Sequence, residues 1–104
     1  MTCGSKNGVT PLPIIKEKVQ PGKYGEAVAF MQKHIPDTAS FEGCESIRVA
    51  GSPDGSTMMV YGEWASIEAH KKYVAWREEN GLLQEFVSDF LESPPEFLYQ
   101  SQVY

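Results

Sequence analysis

The stretch that decides the fold is residues 51–64, Gly-Ser-Pro-Asp-Gly-Ser-Thr-Met-Met-Val-Tyr-Gly-Glu-Trp. Its first six residues are turn formers, and Thr57 to Trp64 follows as a β-rich run. Immediately before it, Cys44 to Ala50 alternates, with Ile47 and Val49 on one face and Arg48 on the other. The two runs therefore read as an antiparallel hairpin. In the second strand Met58, Val60 and Trp64 face one way while Met59 and Tyr61 face the other, so both sides need cover.

Upstream, Ile14 to Val19 reads IIKEKV, a strand with one partly wet face, and Pro21-Gly22 stops it. From Tyr24 the spacing of Tyr24, Ala27, Val28, Met31 and Ile35 builds one helical stripe, which Pro36 is expected to close. Downstream, Ser66 is placed to accept from the free amides of a helix start and Glu68 suits the positive end of its dipole. That helix should run to Asn80-Gly81, where glycine tolerates a left-handed end. A second helical segment carries Leu82, Leu83, Phe86, Val87 and Phe90 on one side, Pro94-Pro95 ends it, and Glu96 to Tyr104 reads as a last strand.

Strand, helix, two strands, helix pair and strand make an α+β protein of the split βαβ arrangement: a four-stranded antiparallel sheet with helices on one face. The other face is left bare. Drawn from Met58, Met59, Val60, Tyr61, Phe97 and Tyr99, it would expose several hundred square ångströms of apolar surface, more than a soluble monomer usually carries. Burying on the order of 1,000 Å² at about 25 cal/mol per Å² yields tens of kcal/mol gross, against about 4 to 15 for association. A homodimer closed through the sheets is the expected arrangement.

The 104 residues suit one domain, read as a loose arm over residues 1–13 followed by a single domain over residues 14–104. With 41% hydrophobic and 22% charged residues and a mean hydropathy of -0.34, the composition is that of a globular protein. No run of about 18 apolar residues and no basic-then-apolar start is present, so membrane insertion and secretion are not expected. Nine Lys and Arg against fourteen Asp and Glu give a charge of -5, which repels a phosphate backbone and makes nucleic acid a poor partner. Two cysteines, Cys3 and Cys44, form neither a disulfide framework nor a metal cluster, and a reducing cytoplasm is the expected compartment.

The helix from Ser66 holds the best constellation. Projected at about 100° per residue, Ile67, Ala69, His70, Tyr73, Val74, Trp76 and Arg77 share one half of the cylinder, which is polar where a core stripe would be aliphatic. His70, Tyr73 and Arg77, at spacings of three and four, form one ridge beside the indole of Trp76. A histidine takes a proton near neutral pH, an arginine holds the resulting anion, and aromatic rings sandwich a flat ligand. The plainer alternative makes Tyr73 and Trp76 core anchors, pairs Arg77 with Glu63, Glu78 or a carboxylate of the first helix, and leaves His70 idle at a rim. Trp64 is either a plug for the sheet edge or a pocket wall, His34 reads as surface, and Cys44 as a buried inert thiol. No phosphate loop, serine elbow, H-E-x-x-H or Cys-x-x-Cys pair occurs, and two separated histidines argue against a metal site.

Val19-Gln20-Pro21-Gly22-Lys23, then Phe41-Glu42-Gly43-Cys44, then Tyr61-Gly62-Glu63-Trp64-Ala65-Ser66-Ile67-Glu68-Ala69, occur in an order and spacing that resembles the antibiotic biosynthesis monooxygenase family of dimeric α/β barrel proteins. Tyr73-Val74-Ala75-Trp76-Arg77, Gly81-Leu82-Leu83 and Pro94-Pro95 resemble one branch of it, and the likeness covers Ile14 to Tyr104. The resemblance implies a ferredoxin-like protomer, sheet-to-sheet pairing into a dimeric barrel, and a pocket between sheet and helices. It also implies oxidation of small aromatic quinols or anthrone-like polyketides with O₂ and no cofactor. Many relatives carry a histidine nine residues after the tryptophan that ends the third strand; here that position is Tyr73, one turn after His70. Haem-degrading relatives need a histidine further along, and Arg77 to Leu91 contains none. The roles that follow are His70, or a water it holds, as proton acceptor, Arg77 and Tyr73 as oxyanion stabilisers, and Trp64, Trp76 and Phe86 as walls for the ring. The alternatives are a non-catalytic dimer that binds small aromatic metabolites and an isomerase or cyclase on the same scaffold.

Overall fold

The computed structural model describes residues 10–103. Along the chain run β1 (Thr10–Lys18), α1 (Tyr24–Ala39), β2 (Arg48–Gly51), β3 (Thr57–Tyr61), α2 (Ile67–Glu79), α3 (Leu82–Phe90) and β4 (Glu96–Gln102). The sheet order is β2-β3-β1-β4 with every neighbouring pair antiparallel, the ferredoxin-like α+β arrangement expected from the element order.

Register decides what each face carries. Ile15 sits opposite Val60 and Phe97, Glu17 opposite Met58, Pro13 opposite Tyr99, and Val49 opposite Val60. Cross-strand partners point the same way, so these residues share the helix-covered face. There Val19, Ala27, Met58, Phe86 and Leu91 form the buried core, with Val28, Phe30, Met31 and Phe90 packed on it. The opposite face carries Leu12, Ile14, Met59, Tyr61 and Leu98. A bare face is therefore present, its apolar residues set among Lys16, Lys18, Arg48 and Glu96, but Met58, Val60, Phe97 and Tyr99 do not belong to it; of the six residues proposed for it only Met59 and Tyr61 do.

The local signals mostly act as read. Ser66 Oγ accepts from the Ala69 amide at 3.0 Å and caps α2. Gly81, at φ 80°, turns the chain from α2 into α3. Three boundaries differ. Residues 1–9 of the expected arm lie outside the described residues, but Thr10 to Pro13 belong to β1, paired with Gln102 to Tyr99. Pro11 and Pro13 fit a strand there because their polar groups turn away from β4, to the side where the β3 ladder has not yet begun; the Pro11 carbonyl accepts the Trp64 amide from that side at 3.3 Å. Helix α1 runs through Pro36 to Ala39, one turn beyond the expected stop. A proline costs about 3 kcal/mol inside a helix. The segment beyond it is nevertheless fixed, since Thr38 is buried and bonded to α2, and the Ser40 amide and hydroxyl both donate to the Pro36 carbonyl.

The third difference is in the hairpin, whose regular strands are β2 and β3 only, with Cys44 and Trp64 joined by an isolated bridge. The amides of Glu45 and Ser46 both donate to the Glu63 carbonyl, two residues against one as in a β-bulge. Gly62 makes this crossing possible: a Cβ there would stand 2.0 Å from the Ser46 carbonyl oxygen. Gly62→Ala should therefore lower stability by at least about 2 kcal/mol in urea unfolding. Gly25→Ala, on a helix with open space around it, should be neutral or stabilising. Equal midpoints for the two variants would contradict the close approach.

Candidate functional site

Between the sheet and all three helices lies a cavity of about 90 Å³. Its floor is Ile15, Glu17, Val60 and Phe97 of the sheet; α1 contributes His34 and Thr38, α2 contributes His70, Tyr73 and Arg77, and α3 contributes Leu82, Leu83 and Phe86. Trp64, 1% exposed, closes one side. It is in phase with Val60 along its own segment, which turns it inward.

Arg77 anchors the helical wall. Its Nε donates to the Tyr73 hydroxyl at 2.9 Å, and its Nη2 donates to the His34 carbonyl at 2.9 Å and to Thr38 Oγ1 at 3.1 Å. Tyr73 Oη and Thr38 Oγ1 are themselves 2.5 Å apart, one hydroxyl donating to the other. The guanidinium is buried, and among the described residues it has no carboxylate partner; Glu63, Glu78 and the acids of α1 do not reach it. Its neighbours neutralise none of its charge, so the wall presents a positive centre suited to an anion.

His70 is 3% exposed and boxed by aromatic rings, with Trp64 edge-on at 5.0 Å, Tyr99 at 5.5 Å and Phe97 at 6.5 Å between centroids. Its Nδ1 lies 3.3 Å from the Tyr99 hydroxyl. Burial pulls its pKa down to about 4, so at neutral pH the ring is the uncharged imidazole, with one N–H and one nitrogen free to accept. Glu17 is also buried, and its Oε1 finds no hydrogen-bond partner among the described residues. Burial pushes its pKa up to about 8, which keeps the carboxyl protonated at neutral pH.

Of the six expected site residues, Trp64, His70, Tyr73, Arg77 and Phe86 line this cavity and Trp76 does not. Trp76 lies outside, at the edge of the helical arc, 36% exposed, stacked between Phe41 at 5.3 Å and the Arg77 guanidinium at 4.7 Å. His34 is not on the surface as expected; its ring packs on Phe30 at 4.4 Å and its carbonyl holds Arg77. Glu17 and Thr38 were missed. The alternation Ile15-x-Glu17-x-Val19 carried the signal for Glu17, since it sets the carboxyl in phase with two inward apolar residues. Thr38 lay past Pro36, where no helix was expected. Cys44 is half-buried, and burial and Glu45 push its thiol pKa up, away from the reactive thiolate. Among the described residues no three His, Cys, Asp or Glu side chains converge to hold a metal, and no helix is long and apolar enough to cross a membrane.

Comparison with solved structures places the fold. A monooxygenase from Streptomyces coelicolor, solved in complex with nanaomycin D, is 19% identical, with a TM-score of 0.76 over 92% of this chain and 89% of its own. A structure named antibiotic biosynthesis monooxygenase is 10% identical, with a TM-score of 0.77 over 90% of this chain and 99% of its own. A Nitrosomonas europaea protein of unknown function is 15% identical, with a TM-score of 0.76 over 92% of this chain and 91% of its own. The chain thus has the fold of the antibiotic biosynthesis monooxygenases. No protein-family model and no curated protein matches the sequence.

Stability should depend on pH through both buried groups. Glu17 holds its proton in the folded state up to about 8 but only to about 4.5 when unfolded, so stability falls as pH rises through that window. His70 is uncharged when folded down to about 4 but only to about 6.5 when unfolded, so stability rises with pH between those values. The two oppose each other from about 4.5 to 6.5, and above that Glu17 acts alone. Urea unfolding should show a loss of about 1 to 2 kcal/mol between pH 6.5 and 8 that Glu17→Gln abolishes. A wild-type curve flat over that interval would refute the burial of an unpaired carboxyl.

Proposed function

We propose that this chain is a cofactor-independent monooxygenase of the antibiotic biosynthesis monooxygenase family, working as a cytoplasmic homodimer on a small aromatic quinol or related polyketide-like phenol. The observation that carries the reading is a buried guanidinium without an acidic partner, lining the same aromatic cavity as an uncharged imidazole. The Streptomyces monooxygenase of the same fold supports it, as does the nanaomycin D that protein holds. At about 90 Å³ the cavity is below the roughly 300 to 1,000 Å³ usual for drug-sized ligands, which favours a substrate of one or two fused rings.

In this reading the substrate supplies all the electrons. His70, or a water it holds, accepts the proton of a ring hydroxyl; Arg77, with the Tyr73 hydroxyl it orients, holds the oxyanion; Trp64 and Phe86 flank the ring and exclude water. The electron-rich anion passes one electron to O₂, and the two radicals combine at a ring carbon. Loss of water then leaves a hydroxyquinone: the quinol gives up two hydrogens as water with one oxygen atom and keeps the other. Each protomer holds its own cavity, and the second copy covers the face carrying Leu12, Ile14, Met59, Tyr61 and Leu98.

With menadiol and labelled O₂, the wild type should consume oxygen above the spontaneous rate and place one labelled atom in the product. His70→Ala and Arg77→Met should each lower kcat/KM by at least about 100-fold. A product without label would make the protein an isomerase or cyclase. Thermal protection by the ligand with no oxygen uptake would make it a binding module. Sedimentation should give a particle of twice 11.6 kDa, and Leu98→Glu should halve it; a wild type that sediments as one chain at micromolar concentration would end the dimer.

A further inference from the structure

Glu17 is the one acidic side chain in the cavity wall, and neither the fold nor the proposed proton transfer uses it. It is 6% exposed, its Oε1 has no partner among the described residues, and the inward positions on either side of it are the aliphatic Ile15 on β1 and Val19 just past its end. Lys16 and Lys18 point to the opposite face of the sheet, and the cavity that Glu17 lines also has Phe30, Leu83 and Phe86 in its wall. A buried unpartnered carboxyl is among the more costly groups a core can carry, and a leucine or methionine would fill the position without that cost. Such a group is accounted for when its partner arrives with a ligand. Arg77 lines the same cavity from the helical layer, so the cavity carries one polar group on the sheet and, on α1 and α2, a polar wall that Arg77 anchors, along with aromatic and aliphatic side chains.

We propose that Glu17 is a specificity-determining residue, the sheet-side pole that hydrogen-bonds one oxygen of a flat ring ligand whose opposite oxygen is held by Arg77. Among the ligands of the proposed function, this favours a ring with oxygens at both ends over one with a single phenolic oxygen. Protonated at neutral pH, the carboxyl donates to a carbonyl or phenolic oxygen without adding negative charge beside the anion that Arg77 holds. The inference rests on the reading of the cavity as a ligand site and is independent of whether oxygen chemistry occurs there.

The test titrates menadione, which has two opposed carbonyls, and naphthalene, which has the same rings and none, into wild type, Glu17→Met and Glu17→Gln. Glu17→Met should unfold at higher urea than wild type and bind menadione about tenfold more weakly, with naphthalene binding unchanged. Glu17→Gln, whose amide still donates, should bind menadione within about threefold of wild type. Independently of both variants' folding, the infrared carbonyl band of the protonated carboxyl, absent from Glu17→Gln, should shift when menadione is added. Equal menadione binding by wild type and Glu17→Met, or a band that menadione leaves unmoved, overturns the role of Glu17 while the cavity remains a ligand site. A wild type that binds neither probe overturns both.

Discussion

The guanidinium of Arg77 is the tie on which the layered structure depends. It sits in the last turn of α2 and spends its bonds on the last turns of α1: the His34 carbonyl and the Thr38 hydroxyl, with Tyr73 closing the triangle. Helix α1 has no basic residue in its own last turn, so this cation from a neighbouring helix serves the negative end of its dipole. It also holds in place the segment beyond Pro36. Desolvating a guanidinium is expensive, and three hydrogen bonds to neutral oxygens answer its geometry without cancelling its charge. The consequence is a wall that is rigid and electrically unsatisfied at once, the preorganised condition in which a binding site differs from a core.

How far this was legible in the sequence follows from which signals are local. Turns, caps and alternation are local, and the element order, the Ser66 cap, the Gly81 link and the ridge of His70, Tyr73 and Arg77 all followed from them. What failed was settled by tertiary contacts. Pro36 weakens a helix locally, but the Thr38 side chain beyond it is held by α2. Pro11 and Pro13 read as loop residues until the ladder on one side is known to start only at Ile14. Trp76 was placed inward because a helix whose buried stripe is polar gives no apolar centre from which to measure the arc; His70 and Arg77 hold the middle, and the indole falls on the rim. Glu17 was hidden by its neighbours, since Lys-Glu-Lys looks like water-facing charge until the period of two is applied strictly.

Several ionisable groups in one small cavity do not make it highly charged. At neutral pH burial leaves His70 uncharged and keeps the proton on Glu17, so Arg77 is the cavity's fixed charge and the acid does not compensate it. Had Glu17 ionised, it would have met the guanidinium with a charge of its own and removed the attraction for an external anion. Burial of the acid is thus what leaves the guanidinium's charge uncompensated. It also explains why a core would retain a carboxyl there: a neutral acid is still a hydrogen-bond donor and acceptor.

On the proposed reading, the site acts on a phenol before any oxygen arrives. A hydroxyl with an ordinary pKa near 10 is almost wholly protonated at neutral pH. An opposite charge within hydrogen-bonding distance, in a wall of aromatic and aliphatic side chains, lowers such a pKa by about 1 to 3 units. Desolvation by those same walls works the other way, since it disfavours the anion, and the balance rests on the guanidinium and the tyrosine hydroxyl it aligns. The imidazole completes the exchange: a buried ring that resists protonation alone gains it more readily next to the anion it has just created, because the new pair is mutually stabilised in a medium that screens little. On the proposed reading, the reactive state is therefore an ion pair made inside the cavity from two neutral partners, with Arg77 present throughout as the charge that decides where the anion forms.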